Sequence, residues 1–308
     1  MLTRIVRLSL AAELAAWIAL MAWMREAFAL PWPVLVALAV AGVLAARLAF
    51  LLFTFLLSWL HRSPRAPAQR LGLGGAARLA ANEFRALALD NLWYLPFERQ
   101  ALRPDPPHST RGRTPVVLVH GYLSSRAYWA PMVRWLEAHG VERVFVPNYR
   151  ALFSTIDRGV EELHQEIERI AAGGAHRVVL VCHSMGGLVA RRYIQDHGER
   201  RVARLVTIAS PHHGTALARF GIGEHARQMK PGSAFFEALT ARESALPPTM
   251  PALSIYSVHD NLVAPQDTSR LPWARNLALT GEGHLSLLDS EPVFARVLEE
   301  LREAAAAS

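Results

Sequence analysis

The sequence predicts an α/β domain, a mostly parallel sheet with helices on both faces, behind an N-terminal α-helical transmembrane hairpin. Three observations carry this prediction. Two long apolar runs fill most of the first sixty residues. From residue 116 onward, short and wholly apolar runs alternate with segments of helical periodicity. One of those runs, VVLVC at 178–182, passes straight into His-Ser-Met-Gly-Gly and then into a helical pattern. Strands that are apolar on both faces and alternate with helices imply a parallel sheet covered on both sides.

The apolar runs come first in the chain. Residues 8–24 are apolar except for Glu13, and residues 34–60 carry Arg47 as their only charge. About 20 apolar residues cross a bilayer, so 34–60 is predicted to span, and its many Leu, Phe and Val residues offset the roughly 3 kcal/mol that a mid-helix arginine costs on insertion scales. Arg4 and Arg7 precede the first run, and His61, Arg62, Arg65 and Arg70 follow the second. The connecting loop offers only Arg25 beside Glu26. Basic residues stay on the cytoplasmic side, which predicts a hairpin in an inner membrane and a cytoplasmic C-terminal domain. A single span would put that domain in the periplasm instead. Ala27-Phe28-Ala29 has the small-x-small form of a signal cleavage site, but Glu13 within the apolar region argues against cleavage.

The net charge of +7 over 308 residues does not point to nucleic acid. Seven arginines against Glu13 and Glu26 give the first seventy residues a surplus of five, leaving about two for the rest. That surplus flanks the apolar runs, where anionic headgroups attract it. The chain has no aromatic-interleaved basic stripe, zinc spacing or helix-turn-helix signal. Cys182 is the single cysteine, so no intramolecular disulfide forms. The histidines do not cluster at ligand spacing, and the Gly-rich pieces GLGG and GIG lack a strand-to-helix phosphate-loop context. No metal and no cofactor are expected.

The remaining elements follow in order. Residues 1–60 form the anchor, 61–112 a linker containing an amphipathic helix, and 113–308 the α/β domain. The linker helix is expected over 76–92, with Leu79, Phe84, Leu87 and Leu92 on one face. Strands are expected at 116–121, 141–149, 177–184, 202–211, 251–260 and 275–284. Helices are expected at 127–138, at 157–172 with Asp157 as N-cap, at 186–197 and at 291–305. Residues 215–250, between the fourth and fifth strands, read as a helical lid or a small helical subdomain.

Ser184 stands at the abrupt junction of the third strand with its helix. A sharp turn there projects the side chain above the sheet, small residues let strand and helix approach, and the first helical N–H groups favour a developing negative charge. Gly186 and Gly187 supply the small neighbours behind it. The run Cys182-His183-Ser184-Met185-Gly186 resembles the G-x-S-x-G nucleophile elbow of the α/β-hydrolase family, in its bacterial lipase and esterase branch. It departs from the family at its first position, where Cys182 reads as a buried small residue and not as a nucleophile. The resemblance extends over roughly 113–303 and includes VVLVHGYLSS at 116–125, which is similar to the family's oxyanion loop.

That resemblance implies an α/β-hydrolase fold with a helical lid insertion, and a Ser, acid, His order of catalytic residues. It implies Ser184 as nucleophile, Asp260 as acid in the Asp-x-x-Val-x-Pro run with Val263 and Pro265, and His284 as base. Asp267 is the alternative acid. It also implies an oxyanion hole from the backbone N–H groups of Tyr122 and Met185. His120 and His183 read as structural, and His259, adjacent to the acid, should point away from it. The PHHG stretch at 211–214 resembles a lipase segment, so His212 and His213 could line an acyl pocket or serve the fold. Phe220 and Phe235, with other apolar residues of the insertion, are expected to cover that pocket. The expected activity is cleavage of lipid-like carboxylic esters through an acyl-enzyme. The expected partners are an acyl-ester substrate and the membrane. A thioesterase or acyltransferase with the same triad stays open, as does a non-catalytic lipid-binding protein.

Overall fold

The computed structural model describes residues 2–108, 114–148 and 154–307. Residue 113, most of the proline-rich loop after 108 and Tyr149 at the end of an expected strand lie outside the described residues.

Helices α1 (Leu2–Phe28) and α2 (Trp32–Leu60) form an antiparallel pair. At 27 and 29 residues they run about 40 Å each, enough to cross a bilayer. Their apolar side chains face largely outward; α1 buries none of its residues and α2 buries only Leu35, Leu51, Thr54 and Ser58. The two charges inside the apolar runs meet. Arg47 Nη1 and Nη2 each donate to a Glu13 carboxylate oxygen at 2.8 Å. Close approach of the helices is set by Gly42, where a Cβ would collide with the Trp17 ring.

The linker helix α3 (Leu73–Leu89) starts earlier than its periodicity suggests and ends in one π-turn, Asp90–Tyr94. Leu95 N–H reaches back five residues to Asp90 C=O at 2.9 Å. The wider turn carries Leu92 off the apolar face, so it stands exposed while Leu79 and Leu87 are buried. A short helix α4 (Glu98–Ala101) follows.

Among the described residues the strands are β1 (Val116–Val119), β2 (Val144–Phe145), β3 (Val178–His183), β4 (Val202–Ile208), β5 (Ala252–Ser257) and β6 (Arg275–Leu279). They form one parallel sheet in the order β2-β1-β3-β4-β5-β6. β2 is far shorter than expected, because Pro147 has no N–H to extend an edge ladder. The helices are α5 (Ala130–Ala138), α6 (Ile156–Ala172), α7 (Met185–His197), α8 (Gly223–Gln228), α9 (Ala234–Ala245) and α10 (Glu291–Ala306). The N-cap of α6 is Thr155, whose hydroxyl accepts from Arg158 N–H at 3.2 Å; Asp157 sits in the first turn instead. Successive residues of β3 feed opposite cores, as the two-residue strand period requires. Val179 and Val181 join the core under α5 and α10, and Leu180 and Cys182 join the core under α6, α7 and α9. Leu2 and Val6 of α1 pack against the first of these cores.

The sheet order reverses between β1 and β3. The chain leaves β1 for the edge strand β2, then returns past β1 to β3. In open parallel sheets the crevice at such a reversal, beyond the carboxyl ends of the strands, is where ligands bind.

Candidate active site

Ser184 sits in that crevice with φ 54° and ψ −126°, a conformation that L-residues rarely adopt. Close packing imposes it. A Cβ on Gly186 would collide with the Val119 and His120 carbonyls, and one on Gly187 with the Ser210 side chain. Gly121 at the end of β1 lies equally close, since a Cβ there would stand 2.9 Å from Ser184 Cβ. The stretch from Gly121 to Tyr122 therefore runs past the serine side chain. Met185 opens α7 and is buried, and the first N–H groups of a helix have no acceptor within it. Cys182 is fully buried between its strand neighbours, and burial pushes its thiol well above the ordinary value, which disfavours a thiolate.

Asp260 and His284 come together from two neighbouring loops. His284 Nδ1 lies 2.8 Å from Asp260 Oδ2. The other carboxylate oxygen accepts the N–H groups of Leu262 at 2.7 Å and Val263 at 2.8 Å, which fixes its orientation. Both side chains are nearly inaccessible to solvent. Burial works against the imidazolium, but the Asp260 charge and hydrogen bond, with Glu83 behind them, outweigh it and hold His284 above its ordinary value. The alternative acid, Asp267, lies in the 3-10 turn Gln266–Ser269 and donates its N–H to Ser63 Oγ at 2.9 Å.

Ser184 and His284 line one cavity of about 560 Å³, together with Tyr122 and Phe220. Its size suits a small-molecule site. Three other residues expected beside the acyl pocket lie away from it. His212 is wholly buried; its Nε2 is 3.0 Å from Thr207 Oγ1 and its carbonyl accepts from Arg191 at 2.6 Å. His213 faces the Arg270 carbonyl at 3.1 Å. Phe235 packs edge-on against Phe236 in the core under α9. The reason is a buried ion pair. Arg191 of α7 grips Glu243 of α9 through two hydrogen bonds of 2.9 and 2.7 Å, fastening α9 to the elbow helix. The cavity wall comes instead from residues 217–229, including Leu217, Phe220, Ile222 and Met229. Tyr122 joins that wall to the elbow side, because its hydroxyl donates to Ile222 C=O at 2.6 Å and accepts from Ile222 N–H at 2.9 Å.

The other histidines serve the surroundings. Burial and the neighbouring His284 and His120 hold His183 well below its ordinary value, and its Nε2 lies 3.2 Å from His284 C=O. Burial lowers His120 to about 4, and its Nδ1 lies 3.0 Å from Gly121 C=O. His259 accepts Gly281 N–H at 3.1 Å, turned away from the acid.

Two sets of contacts at the site escaped the sequence reading. Glu83 of α3 is fully buried behind His284 and accepts Leu285 N–H at 2.9 Å and Ser286 N–H at 2.8 Å. Gly283 is required beside it, since a Cβ there would strike the carboxylate. The end of α2 grips the acid loop. Ser58 Oγ donates to Asp260 C=O at 2.6 Å, and Thr54 Oγ1 accepts from Asn261 Nδ2 at 3.0 Å. Asn261 in turn accepts His284 N–H at 3.0 Å. Thr54 and Ser58 lie one turn apart in an otherwise apolar run, a polar pair on one helix face that was visible in the sequence.

The family model for palmitoyl protein thioesterases matches residues 115–245. A triacylglycerol lipase of Pseudarthrobacter phenanthrenivorans is 36% identical over 118 residues, covering 35% of this chain and 36% of that relative. A triacylglycerol lipase of Vibrio cholerae is 31% identical over 181 residues, covering 57% of this chain and 53% of that one. The chain thus spans about a third to a half of the length of these curated relatives. A Bacillus licheniformis lipase in its mature form superposes with a TM-score of 0.54 at 18% identity, over 65% of this chain and 94% of that one, which shows a shared fold. The sheet order and the structural likeness show the α/β-hydrolase fold, and over parts of its length the chain is similar in sequence to triacylglycerol lipases and palmitoyl protein thioesterases.

Proposed function

We propose that this chain is a membrane-anchored serine hydrolase that cleaves carboxylic esters of long acyl chains through an acyl-enzyme. The observation that carries the reading is a strained Ser184 and an Asp260-oriented His284 lining one largely apolar cavity. His284 takes the Ser184 proton as Oγ attacks the ester carbonyl. The N–H groups of Tyr122 and Met185 meet the oxyanion, each worth roughly 3 kcal/mol. The imidazolium, stabilised by Asp260, then protonates the leaving alkoxide. A water molecule activated by the same imidazole releases the acid and restores the serine. The two apolar helices near the N-terminus support the anchor, since their length and mean hydropathy are those of membrane spans. The arginine pattern favours an inner membrane with the domain on the cytoplasmic side.

Hydrolysis of nitrophenyl esters from short to long chains tests this, with Ser184→Ala beside the wild type in detergent. Activity that vanishes in the variant supports the triad; activity that persists would falsify it. A second reading is favoured by the thioesterase family match, which spans the elbow and the insertion. Under it the scissile bond is an acyl thioester, and preference for a palmitoyl thioester over the matching oxygen ester would select it.

A further inference from the structure

One wall of the cavity above Ser184 belongs to α2. Phe50, Leu51, Phe53, Thr54 and Leu57 all line it, along about 10 Å of helix axis. Opposite them stand Phe220 and Ile222. The Phe53 and Phe220 rings meet edge-on across the mouth, with centroids 6.2 Å apart.

The mouth is apolar on its outer side. Phe50, Phe53, Phe220 and Ile222 line the cavity and are nevertheless 56%, 48%, 56% and 58% exposed. Large apolar side chains gathered at an opening mark contact with an apolar medium. Their depth fits a membrane. Trp32 and Trp59 are 27 positions apart in α2, about 40 Å, which matches a bilayer with its interfaces, where tryptophan concentrates. Arg62 caps the Trp59 ring at 4.5 Å, as a headgroup-level cation would. Phe53 and Phe50 then lie about 9 and 14 Å inside that interface. The inner end of the same cavity is polar, with Ser184, His284 and Asn261.

We infer that the acyl chain of the substrate enters sideways from the bilayer and lies along α2 between Phe50 and Leu57. The substrate class is then a bilayer-resident long-chain acyl ester, whose polar ester group reaches Ser184 from the interface. α2 is a substrate-binding wall as well as an anchor. This inference rests on the proposed roles of Ser184 as nucleophile and α2 as a membrane span.

The test uses the full chain in phosphatidylcholine vesicles and a long-chain alkyl fluorophosphonate carrying a mid-chain diazirine. Ser184 Oγ bonds phosphorus, fluoride leaves, and the serine proton passes to His284. Light then expels dinitrogen, and the carbene inserts into whatever touches the chain. Peptide mapping should find the tail attached within residues 50–57. Phosphonylated Ser184 with the tail attached to α5 or α9 would overturn the inference while leaving the nucleophile in place. Absence of phosphonylation at Ser184 would overturn the nucleophile, and the inference with it. In parallel, a long-chain ester should be hydrolysed at least about tenfold faster when it shares the enzyme's vesicles than when it resides in separate ones, because a shared bilayer raises its effective concentration. Equal rates would overturn delivery from the bilayer.

Discussion

Removing the Glu83 carboxylate should loosen the loop that carries His284 and lower the pH at which that imidazole titrates. The hydrogen bonds Glu83 makes all come from backbone N–H groups, Leu285 at 2.9 and 3.2 Å and Ser286 at 2.8 Å. That donor set serves the ionised, acceptor-only form. In Glu83→Ala both N–H groups lose their acceptor. The Ser286 N–H is in a buried residue and the Leu285 N–H in a half-buried one, and an orphaned buried donor costs about 1–3 kcal/mol. Burial itself raises the Glu83 pKa, so part of the clamp is offset by desolvation. The net loss is then about 2–3 kcal/mol, or roughly 5–10 °C in Tm for a domain of this size. Glu83→Gln isolates the charge. The carboxylate favours the imidazolium of His284, so without it the acid limb of kcat/KM, which reports the free enzyme, should move to lower pH. A pH profile on a short nitrophenyl ester measures this, with thermal unfolding of Glu83→Ala in detergent alongside. An acid limb that stays or moves upward, together with an unchanged Tm, would refute the clamp.

Further outcomes follow from the buried charges. Arg191→Met strands the Glu243 carboxylate and should cost about 3–5 kcal/mol, read as a lowered Tm; Arg191→Met with Glu243→Leu should recover much of it. Glu13→Ala or Arg47→Ala leaves one charge unpaired among apolar residues and should cut membrane insertion, while exchanging the two residues should restore it, as quantified by carbonate extraction. Stability should fall with acid. His120 titrates near 4 when folded against about 6.5 when free, so between those values the unfolded chain binds a proton that the folded chain refuses, a difference of about 3 kcal/mol. His284 works with the opposite sign, because its raised pKa contributes stability that is present at low pH and lost as pH rises through its folded value. A Tm that does not fall between pH 7 and pH 4.5 would contradict the dominance of the buried neutral histidines.

The central strands and the loop positions of Ser184, Asp260 and His284 are legible because each obeys a local rule. A wholly apolar run is a strand buried on both faces, and Ser184, Asp260 and His284 each stand at a loop near the carboxyl end of one. Glu83 was not legible, since a lone glutamate on an amphipathic helix reads as solvated until the helix is docked. His212 and Phe235 misled for the same reason. Their surroundings depend on Arg191 and Glu243, which are 52 residues apart and carry no local signal of pairing. The Glu13–Arg47 pair is different. The two residues lie 17 positions either side of Leu30 in the hairpin loop, so an antiparallel pair of equal rise brings them to the same depth. The symmetry is present in the sequence, but it becomes a pairing only when the two runs are set side by side.

The hairpin and the loops that carry Asp260 and His284 constrain one another more than a tether would require. Thr54 and Ser58 hold Asn261 and the Asp260 carbonyl, Ser63 holds Asp267, and Arg65 donates to Val258 C=O at 2.8 Å. At the same open end of the hairpin, in the first turns of α1, Arg7 donates to Pro96 C=O at 2.6 Å. Each bond contributes only about 1 kcal/mol net, but several of them converge on the few residues that orient His284. Asn261 is the clearest link, because one side-chain amide joins α2 to the backbone of the base. A displacement of α2 by an ångström or two would therefore act on the acid and the base together, and the cavity wall would move with them. Under the proposed function the last turns of α2 belong to the active site in the same sense as the elbow, with α2 setting Asp260 and the cavity wall and the elbow setting Ser184.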